Sequence, residues 1–260
     1  MKSKGGGLVQ DTYIKTEKHG AVYQITIDRP KANAINVDMS LELYHAFMDF
    51  HQDNAMKAAV ITGSGEKFFS AGWDLKSEEP IDADYGPGGF AGLTEVYHVQ
   101  KPIIAAVNGM AVGGGFELAL ACDIIVAADH AEFFLPEAMV GIIPDAGGVL
   151  RLPKYLPQKL AMDMMLTGRR LSAEEGLHHG LLKNVTSFDE LLPEAYRIAE
   201  QLTKSAPLSI AAIKEVVQYT AHLPVEEGFA LMRSGELETY QKMLQSEDAI
   251  EGSKAFSVAS

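Results

Sequence analysis

Two glutamates stand in surroundings that do not suit a charged side chain. Glu117 lies in Gly113-Gly114-Gly115-Phe116-Glu117-Leu118-Ala119-Leu120-Ala121, and Glu137 in Phe133-Phe134-Leu135-Pro136-Glu137-Ala138. A carboxylate among apolar groups resists ionisation, and two that meet cannot both ionise cheaply, so an acid and a base coexist at neutral pH. Such a pair can give a proton to one atom of a substrate and take one from another. Sequence spacing leaves two readings open: a functional pair, or separate caps and core hydrogen-bonders.

Glycine-rich segments are the next candidates. Asn108-Gly109-Met110-Ala111-Val112-Gly113-Gly114-Gly115 follows an apolar run and opens into a strong helix former. The first N–H groups of a helix have no internal partner and carry the positive end of its dipole, which suits a developing oxyanion. The same glycines serve equally well for close packing of a strand on a helix. Gly86-Pro87-Gly88-Gly89-Phe90-Ala91 fits G-x-G-x-x-A, but residues 80–85 before it are acidic and proline-marked, not a buried strand. The dinucleotide reading therefore lacks its context. Trp73, the only tryptophan, adjoins a glycine in Phe69-Ser70-Ala71-Gly72-Trp73-Asp74-Leu75-Lys76, where both a core role and a site role are open.

Metal and nucleophile chemistry find little support. The eight histidines show no H-E-x-x-H spacing, and the adjacent His178-His179 reads as surface. There is no G-x-S-x-G elbow. The single cysteine, Cys122, can form neither an internal disulfide nor a thiolate cage, and its place at a helix end predicts a small buried apolar role.

Elements must hold these groups in place. Val22–Ile27 alternates with period two and is stopped by Asp28-Arg29-Pro30, which predicts a strand. Residues 37–53 repeat apolar groups at helical spacing (Leu43, Phe47, Phe50, with Leu41, Tyr44 and Met48 beside them) behind Asn36 as cap. Residues 58–62, Ile103–Val107 and 124–127 are short, wholly apolar runs that predict strands buried on both faces. Beyond Pro157 helical patterns dominate, at 157–166, 188–204, Pro207–Thr220 and 225–245. The reading is an α/β fold with a lead-in at 1–12, a strand-rich catalytic core at 13–200 and a C-terminal helical region at 201–260.

Lys and Arg number 22 against 35 Asp and Glu, a net charge of −13 that argues against nucleic-acid or anionic-membrane partners. The longest apolar runs are far short of the ~20 residues that cross a bilayer. Lys2 and Lys4 run into three glycines where a signal peptide needs an apolar core. A cytoplasmic location is the expectation.

Taken in order, Arg29-Pro30-Lys31-Ala32-Asn33-Ala34, the 69–76 segment, Lys101-Pro102 through Asn108-Gly109, Gly113 through Leu118, and Pro136-Glu137 through Gly147-Gly148 resemble the enoyl-CoA hydratase/isomerase (crotonase) superfamily. The resemblance implies a ClpP-like spiral of ββα units followed by a C-terminal helical trimerisation region, in a homotrimer or dimer of trimers. It implies that the N–H groups of Trp73 and Gly114 hold the thioester carbonyl of an acyl-CoA. Glu117 and Glu137 match the two carboxylates of the hydratase branch, Glu117 handling water and Glu137 the α-proton. Lys31, Ala32, Ala71 and Lys76 fall where the family holds CoA. No metal and no redox cofactor is implied.

Within the superfamily, residues 65–76, 82–95, 144–153 and 246–252 are most similar to a branch that adds water to, or removes it from, an acyl-CoA ending in a trimethylammonium group. That group is a permanent cation, best held by aromatic faces in a negative field. Trp73, Tyr85, Phe90 and Tyr97 are the aromatic candidates, with Asp82, Asp84 and Glu95 nearby; the other reading is a packed lid. Three alternatives follow: a generic short-chain hydratase, an isomerase using Asp145 as a further acid, and a non-catalytic acyl-CoA- or RNA-binding scaffold. The chain ends in Ala255-Phe256-Ser257-Val258-Ala259-Ser260, where the family usually continues with a basic tail containing Pro and Trp.

Overall fold

The computed structural model describes residues 12–249. The expected lead-in, up to residue 11, and the ending at 255–260 lie outside them. A hairpin of β1 (Ile14–His19) and β2 (Val22–Ile27) leads to α1 (Val37–Gln52). Three strand pairs follow: β3 (Ala58–Gly63) with β4 (Phe68–Ser70), β5 (Ile103–Val107) with β6 (Met110–Val112), and β7 (Ile124–Ala128) with β8 (Glu132–Phe134). Helix α2 (Gly114–Ala121) comes after the second pair and α3 (Gly148–Tyr155) after the third. The chain continues through α4 (Gln158–Thr167), β9 (Leu171–Ser172), α5 (Ala173–His178) and β10 (Asn184–Thr186). It closes with α6 (Phe188–Thr203), α7 (Pro207–Thr220), α8 (Val225–Ser234) and α9 (Glu238–Leu244).

The first strand of each pair joins a six-stranded sheet ordered β1-β2-β3-β5-β7-β10, and the second joins a four-stranded sheet ordered β4-β6-β8-β9. Within the larger sheet only β1 runs antiparallel to its neighbour. Parallel neighbours need a crossover. The β2–β3 crossover is made by α1, and each later one passes through the smaller sheet, so the chain advances as a spiral.

The apolar strands are covered twice. Ala59, Ile61, Ala105, Val107, Ile125 and Ala127 face the main core with α1 and α2. The alternate residues Ala58, Val60, Ile104, Ala106, Val126 and Ala128 face Leu191, Ala195, Ile198 and Ala199 of α6. Side chains of a strand alternate between faces, so a strand covered on both sides must be apolar at every position.

Three elements depart from expectation. β1 buries only Ile14 and was hidden by its charged, exposed residues, which suit an edge strand. α3 lies ahead of the helical stretch expected beyond Pro157, and it carries Pro153 inside it. The helix expected over 225–245 is two helices, because Gly235 takes the left-handed conformation (φ 87°) and ends α8. Glu215 of α7 then accepts from the Thr239 and Tyr240 N–H groups at 3.0 and 2.8 Å and caps α9. No helix among the described residues is long and apolar enough to cross a membrane.

Candidate active site

One wall of the site is a turn pressed onto a helix end. Ser70 Oγ donates to the Asn33 carbonyl at 2.7 Å and accepts from the Gly72 N–H at 3.0 Å. Ala71 N–H donates to the Ala32 carbonyl, Ile35 N–H to that of Gly72, and Asp74 N–H to that of Ile35. Asp74 is ion-paired with Arg29 at 2.7 Å. These bonds fix the turn, and Gly72 (φ +77°) lets it close on α2: a Cβ there would sit 2.5 Å from Val112 O and 2.8 Å from Gly114 N. The Gly72–Trp73 peptide thus lies beside the Gly114 N–H, which as the first of α2 has no partner within its helix. Trp73 and Gly114 both line one cavity of about 230 Å³.

The two glutamates line the same cavity. Glu117, in the first turn of α2 and 3% exposed, accepts from the Gly148 N–H at the start of α3 at 2.7 Å. Burial pushes its pKa up to about 8; the charges of Glu137 and Asp145 add to this, while the Gly148 N–H and Arg151 oppose it. Glu137 follows Pro136, opens a 3-10 turn and is 8% exposed. Burial, aided by Asp145, holds its pKa at about 7. Its Oε2 is buried without a hydrogen-bond partner. Glycines make room for both carboxyls: a Cβ at Gly113 would meet Glu137 Oε1 at 2.4 Å, and one at Gly148 would meet Glu117 Oε1 at 3.0 Å. Near neutral pH one carboxyl is mostly protonated while the other is divided between its forms, so the site holds an acid and a base together.

The opposite wall comes from the segment after the Trp73 turn. Phe90 stands over Gly114, where a Cβ would lie 2.4 Å from its Cε1. Tyr85 meets Phe90 edge to face, with centroids 5.2 Å apart. Asp82, Glu95 and Asp145 also line the cavity. Tyr97 does not: the Leu93–Val96 turn carries it away, 60% exposed, to a separate hollow with Tyr155, Ile213 and Val217. Asp84 is likewise outside, its carboxylate accepting from the Gly86 N–H at 2.8 Å. The indole of Trp73 packs against the main core, and its Nε1 is buried without a partner.

Of the proposed CoA residues, Ala32 and Ala71 share a backbone hydrogen bond, while Lys31 (φ +81°) and Lys76 are exposed outside the cavity. Residues not singled out from sequence include Gly148 and the apolar wall of Ile81, Ile142 and Ile143. A signal for Gly148 existed: Gly147-Gly148 precedes Val149-Leu150-Arg151-Leu152, whose apolar spacing suits a helix start. Cys122 is buried at the end of α2, and burial pushes its thiol pKa up, away from nucleophilic use. Among the described residues no three His, Cys, Asp or Glu side chains are grouped to hold a metal ion.

Known proteins share this arrangement over almost the whole chain. The family described as enoyl-CoA hydratase/isomerase matches residues 17–258. A protein named carnitinyl-CoA dehydratase from Citrobacter koseri is 57% identical over 242 residues, covering 92% of this chain and 93% of the relative. One of the same name from Escherichia coli O157:H7 is 56% identical over the same shares. The structure of an enoyl-CoA hydratase from Mycobacterium tuberculosis H37Rv superposes with a TM-score of 0.85 at 35% identity, covering 96% of this chain and 97% of that one. With its strand pairs divided between two sheets and two buried glutamates in one glycine-lined cavity, the chain belongs to the enoyl-CoA hydratase/isomerase family.

Proposed function

We propose that the protein is a hydro-lyase that reversibly dehydrates L-carnitinyl-CoA to crotonobetainyl-CoA. The observation that carries this is the pair of buried glutamates, with pKa values raised to about 8 and about 7, beside two backbone N–H groups in one cavity. The relatives' names supply the acyl group. In dehydration the Glu137 carboxylate takes the α-proton, and the C–H electron pair moves toward the thioester carbonyl. The developing oxyanion accepts hydrogen bonds from the Trp73 and Gly114 N–H groups. The β C–O bond then breaks, and the leaving hydroxyl takes the proton of Glu117 and departs as water. Hydration runs the same steps backwards.

Every proton and charge in this sequence is handled by the chain itself, so the reaction calls for no metal or redox cofactor; the substrate's own CoA is the only carrier. CoA would lie along the Lys31-Ala32 and Ala71 backbones, with the Lys76 ammonium near its phosphates. The exposed apolar residues Ile213, Val217, Tyr219, Val225 and Phe229 on the C-terminal helices support a homotrimer or a dimer of trimers, with 13–200 as catalytic core and 201–260 as helical region. A cytoplasmic location fits the single reduced cysteine. The test is turnover of crotonobetainyl-CoA beside crotonyl-CoA: preference for the first supports the reading, and hydration of crotonyl-CoA alone replaces it with a generic short-chain hydratase.

A further inference from the structure

The cavity carries more negative charge than two-carboxylate chemistry uses. Besides Glu117 and Glu137, its lining includes Asp82, Glu95 and Asp145, and no Lys, Arg or His. Among the described residues none of these three acids has an ion-pair partner. A hydrocarbon acyl chain gains nothing from them and would strip water from them on entry. A permanent cation gains from each one and from any aromatic face beside it.

The aromatic wall of the cavity points to a ligand of that kind. Phe90 stands over Gly114, and the Tyr85 ring lies 5.2 Å beyond it, edge to face at 72°. In crotonobetainyl-CoA the nitrogen is four bonds from the thioester carbonyl carbon, about 5 Å in an extended chain. With the carbonyl at Gly114, the cation therefore reaches one ring further along the wall, toward Tyr85.

We propose that Tyr85, with Asp145 and supported by Glu95 and Asp82, forms a cation subsite that selects the trimethylammonium substrate over uncharged acyl groups of the same shape. This rests on the dehydratase reading above and assigns its selectivity to particular side chains. Tyr85 is suited to the task because burial, with Glu79 and Asp145 nearby, holds its phenol neutral, at a pKa of about 12. Trp73 lines the same cavity, its indole packed against the main core as the Tyr85 ring is.

The test compares kcat/KM of the wild type, Tyr85→Leu and Asp145→Asn on crotonobetainyl-CoA, on its uncharged carbon isostere 5,5-dimethylhex-2-enoyl-CoA, and on crotonyl-CoA. The wild type should favour the cation over the isostere by about tenfold or more, and each variant should reduce that ratio by about 3- to 30-fold. A wild-type ratio near one overturns the subsite. So does a high ratio that both variants leave within about twofold, although the dehydratase reading then stands. Turnover of crotonyl-CoA alone overturns that reading and the subsite with it. Asp145 is exposed on a loop, so its variant decides the matter even where Tyr85→Leu fails to fold.

Discussion

The two walls of the cavity are built differently. On the reacting side a Cβ at Gly72, Gly113, Gly114 or Gly148 would approach a neighbour to 3.0 Å or less, and both carboxyls are buried. On the acyl side Ile81, Asp82 and Asp145 are exposed, and the segment from Lys76 to Gly89 contains no helix or strand. Proton transfer needs fixed geometry, which packing supplies, whereas the choice of acyl group can be altered on loops without disturbing the core. Substitutions on the first wall should therefore depress every substrate alike, and those on the second should change ratios.

The largest effects belong to the reacting wall. Glu117→Gln and Glu137→Gln should each lower kcat by ~10²–10⁴ on charged and uncharged substrates alike, with binding of the CoA ester retained. Near-wild-type turnover by either variant removes that residue from the mechanism. Gly114→Pro, which deletes an N–H donor, should cost ~10²–10³ in rate. Gly114→Ala keeps the N–H and only crowds Phe90, so it should retain more activity than the proline variant; equal losses would show that packing, not the donor, is what matters.

A smaller effect appears in the pH dependence. In the dehydration direction kcat/KM should rise as Glu137 ionises near pH 7 and fall as Glu117 ionises near pH 8. Asp145→Asn removes a charge that raises both pKa values, so both limbs should move to lower pH. Unmoved limbs would separate Asp145 from the pair.

The same shifts bear on stability. A carboxyl whose pKa is raised on folding binds its proton more tightly when folded. It stabilises the fold below the unfolded value of about 4.5 and loses that contribution as pH rises to about 8. Glu117→Gln should therefore raise Tm more at pH 9 than at pH 5, measured calorimetrically, while abolishing most turnover. A larger gain at pH 5 would contradict the burial of a titrating Glu117.

The sequence revealed what depends on neighbouring residues. The wholly apolar runs of β3, β5 and β7 and the amphipathic α1 were readable because burial on one or both faces leaves a local period. The two glutamates were conspicuous because their flanks are apolar. Contacts closed by the spiral were not readable: nothing near Glu117 announces a hydrogen bond to Gly148, 31 residues away. Nor does any local period show that β4, β6 and β8 leave for a second sheet, since three-residue strands are too short to display one. Proximity in sequence groups Tyr97 with Tyr85 and Phe90, whereas a single turn at Leu93–Val96 separates them in space.

The most direct measurement is the reaction of the wild type with crotonobetainyl-CoA in deuterium oxide, followed by NMR. The mechanism predicts L-carnitinyl-CoA with one solvent deuterium at the α-carbon, delivered by Glu137, and a solvent-derived hydroxyl at the β-carbon. Failure to add water, or deuterium entering only at the γ-carbon as the double bond shifts, would contradict it.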